Sequence, residues 1–125
     1  MAKAKILVVE DEMISAAALR SDLKGMGYEV CSLASSGEKA IEIAETEHPH
    51  VVLMDVRLRG EMDGIEASRE IRSRVGAPSI FMSGYSVEAV KGMMGNDESF
   101  RLITKPVQTE DVKDAIASVL RERNE

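Results

Sequence analysis

Two hydrophobic patterns alternate along the chain. Five short apolar runs, Lys5–Val9, Glu29–Leu33, Val51–Met54, Ser79–Met82 and Arg101–Thr104, read as strands. Three of them are short, apolar and β-branched or Met-rich, as expected of strands buried on both faces of a parallel sheet. Between the runs the apolar residues recur with helical spacing. Ile14, Ala17, Ala18 and Leu23 form one stripe, and Ala40, Ile41 and Ala44 a second. Ile65, Ser68 and Ile71 form a weaker third, while Val112, Ala115, Ile116, Val119 and Leu120 form the last and clearest. A further helix is predicted at about Ser86 to Met94, with an end weakened by Gly92, Gly95 and Asn96.

The punctuation agrees with this division. Gly25 and Gly27 end the first helix, and Ser35-Ser36-Gly37-Glu38 offers a start for the second. Asp63-Gly64-Ile65-Glu66 reads as an N-cap with a glutamate at the third helical position. Gly76 and Pro78 close the third helix before the fourth strand. Strict alternation of strands and helices with short connections predicts a doubly wound α/β domain with a five-stranded parallel sheet and five helices. No linker, internal repeat or low-complexity segment divides residues 1–125. A single domain is therefore expected, with a last helix that ends close to Glu125 and no effector domain after it.

Composition and charge narrow the class. A hydrophobic fraction of 44% and a charged fraction of 30% are ordinary for a globular protein and exclude fibrous and disordered readings. The net charge of −6 and the lack of a basic patch argue against partners such as nucleic acid or an anionic membrane. No apolar run approaches the ~20 residues of a membrane span or the core of a signal peptide. The one cysteine, Cys31, excludes an internal disulfide and reads as a small core residue. A cytoplasmic location is the expectation.

The ends of the strands carry the chemistry. The first runs into Glu10-Asp11-Glu12, the third into Asp55, the fourth into Ser83-Gly84 and the fifth into Lys105-Pro106. In open parallel sheets ligands bind beyond the carboxyl ends of the strands, so these residues are expected to converge. Carboxylates brought that close repel one another, and the repulsion is relieved by protonation or by a bound cation. An oxygen-only ligand set suits Mg²⁺, and no histidine or cysteine pair accompanies it to suggest zinc. Asp55, directly after an apolar strand, is the best-placed nucleophile, and carboxylates do form aspartyl phosphates. Lys105 and the metal would neutralise charge on the transferred group, with the Ser83 hydroxyl donating to it.

With these residues in place, the chain resembles a response-regulator receiver domain of two-component signalling from Lys5 to about Arg123. The matching motifs are Val-Val-Glu10-Asp11-Glu12, Leu-Met-Asp55, Met62-Asp63-Gly64, Phe-Met-Ser83-Gly84 and Thr-Lys105-Pro106. The resemblance implies a flavodoxin-like sheet of order 2-1-3-4-5. It implies that Asp55 accepts a phosphoryl group from a histidine kinase or a histidine phosphotransfer protein and then switches binding to a downstream protein target. It also implies Mg²⁺ held by the Asp11 and Asp55 side chains and the Arg57 carbonyl, with Glu10 acting mainly through a metal-bound water. Lys105 would salt-bridge the acceptor and precede a cis bond to Pro106. A homodimer is compatible with this reading. The loop from Asp55 to Asp63 lacks the proline often found in the family and reads as one residue longer than usual. Leu102 stands where the family usually has an aromatic switch residue, so the switch is assigned to Ser83, Tyr85 and Leu102 with altered coupling.

Other features take simpler readings. His48-Pro49-His50 reads as a turn at the far end of the third strand rather than as a metal pair. Met54 and Met82 read as core fillers, and packing is also favoured for Met93-Met94. Arg57 and Arg59 flank the acidic pocket. A Mg²⁺-dependent phosphatase with an aspartyl nucleophile is the competing reading, but it requires a second aspartate where Arg57 stands. A flavin or nucleotide module on the same fold would need a glycine-rich first turn, which Glu10-Asp11-Glu12-Met13-Ile14 is not. A receiver that docks without being phosphorylated is the remaining alternative.

Overall fold

The computed structural model describes residues 3–95 and 100–123. Strands and helices alternate throughout: β1 Lys5–Val9, α1 Met13–Gly25, β2 Glu29–Val30, α2 Gly37–Glu47, β3 Val51–Asp55, α3 Gly64–Val75, β4 Ser79–Ser83, α4 Val87–Met94, β5 Arg101–Thr104 and α5 Thr109–Arg123. The strands form one parallel sheet in the order β2-β1-β3-β4-β5, the expected doubly wound arrangement.

The period of two along each strand divides the core into two layers. Leu7, Val9, Val52, Met54 and Phe81 face α2, α3 and α4. Ile6, Val8, Val51, Leu53, Ile80, Met82 and Ile103 face α1 and α5. Every residue of β3 is buried, which is why that strand reads as an unbroken apolar run up to Asp55. Fully burying each such aliphatic side chain contributes roughly 1.5–3 kcal/mol, so the centre of the sheet is the most firmly held part of the fold.

Helix ends follow the sequence signals. Ser36, Asp63 and Ser86 cap α2, α3 and α4, their side chains accepting from the backbone N–H groups of Lys39, Glu66 and Ala89. Gly76 ends α3 in the left-handed conformation that a side chain would disfavour. The His48-Pro49-His50 segment is a turn. His48 ends α2, and His50 is tied to β1, its backbone N–H donating to the Lys5 carbonyl and its Nδ1 accepting from the Lys5 N–H. Cys31 is buried, as expected.

Three expectations need correction. The second strand, expected to span Glu29–Leu33, is regular only over Glu29–Val30; pairing resumes as an isolated bridge from Val9 to Ala34. This edge segment lies against β1 alone, so nothing on its outer side holds the intervening residues in a ladder. In α1 the stripe Ile14, Ala17 and Ala18 points outward, Ile14 being 82% exposed, while Ala16, Leu19 and Leu23 face the sheet. Apolar residues lie around most of this helix, so spacing alone admits two faces, and the choice is made by packing on Ile6 and Val8. Met93 and Met94 divide: Met94 is buried and Met93 is exposed. The expected loosening at Asn96 and the end of the last helix at Glu125 fall outside the described residues.

Candidate phosphoacceptor site

The sheet delivers five side chains to one edge. Glu10 and Asp11 follow β1, Asp55 ends β3, Ser83 ends β4 and Lys105 follows β5. Backbone pairing continues past the strands and fixes these residues. The Glu10 N–H donates to the Ala34 carbonyl (3.0 Å), the Val56 N–H to Met82 (3.0 Å) and the Lys105 N–H to Ser83 (2.8 Å). The peptide between Lys105 and Pro106 is cis. Residues expected from the sequence to converge do converge, and they line one open cleft of about 700 Å³.

Burial singles out the same residues. Among the described residues, the buried polar or charged side chains are Glu10, Asp55 and Ser83, each at 3–4% exposure. Burying a carboxylate is costly unless a cation or hydrogen bonds compensate it. Lys105 supplies that compensation, its Nζ lying 2.8 Å from Asp55 Oδ2 and 3.3 Å from Glu10 Oε2. The other oxygen of Asp55, Oδ1, accepts the Arg57 N–H at 3.2 Å. Glu10 Oε1 accepts the Glu12 N–H at 3.3 Å.

One ammonium does not balance three acids. Carboxylate oxygens of Glu10, Asp11 and Asp55 lie within 4.8 Å of one another, a spacing one cation could span. Burial pushes the Glu10 carboxyl up from 4.5 to about 7; the adjacent Asp55 carboxylate pushes the same way and Lys105 partly opposes it. Burial alone would lower the Lys105 ammonium, but its bonds to Asp55 and the negative charge of Asp55 and Glu10 outweigh this and raise it. The donor set is all oxygen and short of positive charge, which fits a hard divalent cation such as Mg²⁺.

The loops around the cleft add contacts that sequence reasoning left unassigned. Arg59 Nε lies 3.4 Å from Asp11 Oδ2. The Arg57 guanidinium sits over the Tyr85 ring, 5.8 Å from its centroid, and both residues line the cleft. The Tyr85 N–H donates to Ser83 Oγ at 2.9 Å, which fixes the Ser83 oxygen within its own loop and leaves its O–H to donate elsewhere. Leu102 packs with Tyr85 and Phe100 against the core layer beneath α2, α3 and α4. Gly64, the first residue of α3, has a structural role that the Asp63-Gly64 pair only hinted at. A Cβ there would lie 1.9 Å from the Asp55 carbonyl oxygen, so the helix can approach the acceptor strand only with glycine.

This fold and this edge of acidic residues are those of a known signalling module, and similarity to known proteins agrees. The family model for the response regulator receiver domain matches residues 6–117. The chain belongs to that family. It is 31% identical over 112 residues to the transcriptional regulatory protein PdtaR of Mycobacterium tuberculosis, covering 90% of this chain and 54% of that protein. It is 34% identical over 121 residues to the alkaline phosphatase synthesis transcriptional regulatory protein PhoP of Bacillus subtilis, covering 94% of this chain and 48% of that protein. The chain thus spans about half the length of the curated relatives it matches. Among solved structures, it resembles the signal receiver domain of a modulated diguanylate cyclase from Desulfovibrio desulfuricans G20, with a TM-score of 0.86, 28% identity and 98% coverage of each chain. A CheY-like receiver domain protein from Methanospirillum hungatei JF-1 is similar at a TM-score of 0.81 and 26% identity, again with 98% coverage of each chain.

Membership of this family makes the chain a receiver domain of the response-regulator type, a signalling switch. It also favours that role over the phosphatase and the flavin module considered above. No helix among the described residues is long and apolar enough to cross a membrane.

Proposed function

We propose that Asp55 is the phosphoryl acceptor. The observation that carries this reading is its setting: a carboxylate 4% exposed at the end of the central strand, with Lys105 2.8 Å from one oxygen and two further acids beside it. In the transfer, an Asp55 carboxylate oxygen forms a bond to phosphorus as the phosphorus–nitrogen bond of a phosphohistidine breaks. The electron pair of that bond stays on the imidazole nitrogen, which takes up a proton. The partner is a histidine kinase or a histidine phosphotransfer protein.

Mg²⁺ would be held by the Asp11 and Asp55 side chains and the Arg57 carbonyl, with Glu10 reaching it through water. When bound, it would neutralise charge on the phosphoryl oxygens. Lys105 answers the charge on the acceptor at Asp55 Oδ2, and the fixed backbone beyond β3 orients Asp55 before a donor arrives. Ser83 donates its hydroxyl hydrogen to the phosphoryl group, while its oxygen can go on accepting the Tyr85 N–H. The domain itself catalyses at most slow self-phosphorylation from small donors and slow hydrolysis of its aspartyl phosphate. The working location is the cytoplasm, and the output is a change of affinity for a downstream protein.

The test is transfer from a phosphorylated histidine phosphotransfer protein to the wild-type chain, to Asp55→Asn, and to wild type with a chelator. Label moving to wild type with Mg²⁺ only supports the proposal. Equal labelling of Asp55→Asn refutes it.

A further inference from the structure

Among the described residues, Arg59 is the one guanidinium that reaches the acidic trio. Its Nε lies 3.4 Å from Asp11 Oδ2, its side chain is 88% exposed, and that of Asp11 is 22% exposed. Lys105 meanwhile contacts Asp55 and Glu10 at their Oδ2 and Oε2 atoms. The two cations divide the three acids between them. Lys105 serves the two buried ones from β5, and Arg59 serves the accessible one from the loop between β3 and α3.

We propose that Arg59 is the resident counter-ion of Asp11 and that a divalent cation enters this site by displacing it. The inference rests on the reading of Glu10, Asp11 and Asp55 as a Mg²⁺ site. Charge decides which cation leaves. With the three carboxylates ionised, Lys105 and Mg²⁺ together bring the cluster to neutrality. Keeping Arg59 in place as well would leave one positive charge in excess at close range. Lys105 approaches from the side of Asp55 Oδ2 and is partly enclosed, whereas Arg59 is an extended arm in water. An exposed ion pair of this kind is weak and screened by salt, so it yields readily to a doubly charged ion. Arg59 is followed by Gly60 at a φ of 106°, a backbone that glycine adopts without strain.

Arg59 is therefore a positioning residue that sets how tightly the site takes its metal. In the metal-free protein it holds the loop between β3 and α3 against the loop after β1. In the metal-bound protein its guanidinium is free at the rim of the cleft.

The experiment is a Mg²⁺ titration followed by calorimetry or by amide chemical shifts, on wild type, Arg59→Gln, Arg59→Lys and Asp11→Asn. Arg59→Gln is expected to bind Mg²⁺ about twofold to fivefold more tightly than wild type. Arg59→Lys, which keeps the charge, should stay near wild type. The advantage of Arg59→Gln should shrink as salt approaches about 1 M, where charges are screened over about 3 Å. Equal or weaker Mg²⁺ binding by Arg59→Gln, with Asp11→Asn impaired, overturns the role of Arg59 alone. Undiminished binding by Asp11→Asn overturns the metal-site reading itself, and this inference with it.

Discussion

Lys105 and Asp55 are joined across the edge of the sheet by a 2.8 Å contact between Nζ and Oδ2, although 50 positions separate them in the chain. Two backbone bonds hold the pair in place, from Lys105 N–H to Ser83 and from Val56 N–H to Met82. The geometry of the acceptor is thus a property of the sheet, present before any phosphoryl donor arrives.

Removing the ammonium exposes what it compensates. Lys105→Met leaves Asp55 and Glu10 close together without their cation. The pair is neither fully exposed nor fully buried, so a loss of about 1 kcal/mol of stability is expected at neutral pH. Urea unfolding with and without Mg²⁺ checks this. The metal should restore much of the loss, and an equal loss in both conditions would contradict the shared-site account.

Gly64→Ala tests how closely α3 must approach the acceptor strand. The added methyl would lie 1.9 Å from the Asp55 carbonyl oxygen, which is backbone and has little freedom to move. A destabilisation of about 3 kcal/mol is expected, at the upper end of overpacking effects. Denaturant unfolding measures it. Wild-type stability in this variant would mean that α3 starts elsewhere.

The Glu10 carboxyl, at about 7 in the fold against an ordinary 4.5, predicts two pH effects. Between these values the native state binds more protons than the unfolded chain. The stability contributed by protonated Glu10 is complete below 4.5 and is lost as pH rises through about 7. Without metal, stability should therefore fall across that window, and Glu10→Gln should flatten the slope. Mg²⁺ favours the ionised carboxylate, so its affinity should rise with pH up to about 7 and then level off. Denaturation and Mg²⁺ titrations across this range read both. A pH-independent Mg²⁺ affinity would contradict the coupling.

The switch is expected to begin at Ser83. Its Oγ accepts the Tyr85 N–H, so a hydroxyl drawn toward a phosphoryl group carries that contact with it and disturbs the segment leading into α4. Beryllofluoride with Mg²⁺ should shift the amide signals of Ser83–Gly95, most strongly at Tyr85. Leu102 and Tyr85 pack against the same core layer, and Leu102 offers no ring to swing inward. Leu102→Phe should strengthen the response. An unchanged Ser83–Gly95 spectrum in the wild-type chain would defeat this account of the switch.

Much of this was legible before the fold was known. The run Val51–Met54 announces a fully buried central strand, and the acid that follows it is the acceptor candidate. The orders of Glu10-Asp11, Asp55, Ser83 and Lys105 along the chain are meaningful because parallel strands deliver all their carboxyl ends to one edge. Less was legible where two arrangements satisfy the same local pattern. The first helix carries apolar residues on more than one face, so the stripe through Ile14, Ala17, Ala18 and Leu23 does not identify the buried face, and Ile14 points to water. The edge strand after Tyr28 is shorter than the run Glu29–Leu33 suggests, because local composition does not reveal a missing neighbour. The Arg59–Asp11 pair was invisible as a pair, since no local spacing relates two loops that meet only through the sheet.

The most direct test of the central claim is to locate the modified residue. The chain is incubated with Mg²⁺ and a small phosphodonor such as acetyl phosphate, the acyl phosphate is trapped by borohydride reduction, and the peptides are mapped by mass spectrometry. The account predicts one phosphoryl group per chain, reduction at Asp55, and none after chelation or in Asp55→Asn. Phosphorylation at another residue, or undiminished in Asp55→Asn, would contradict it.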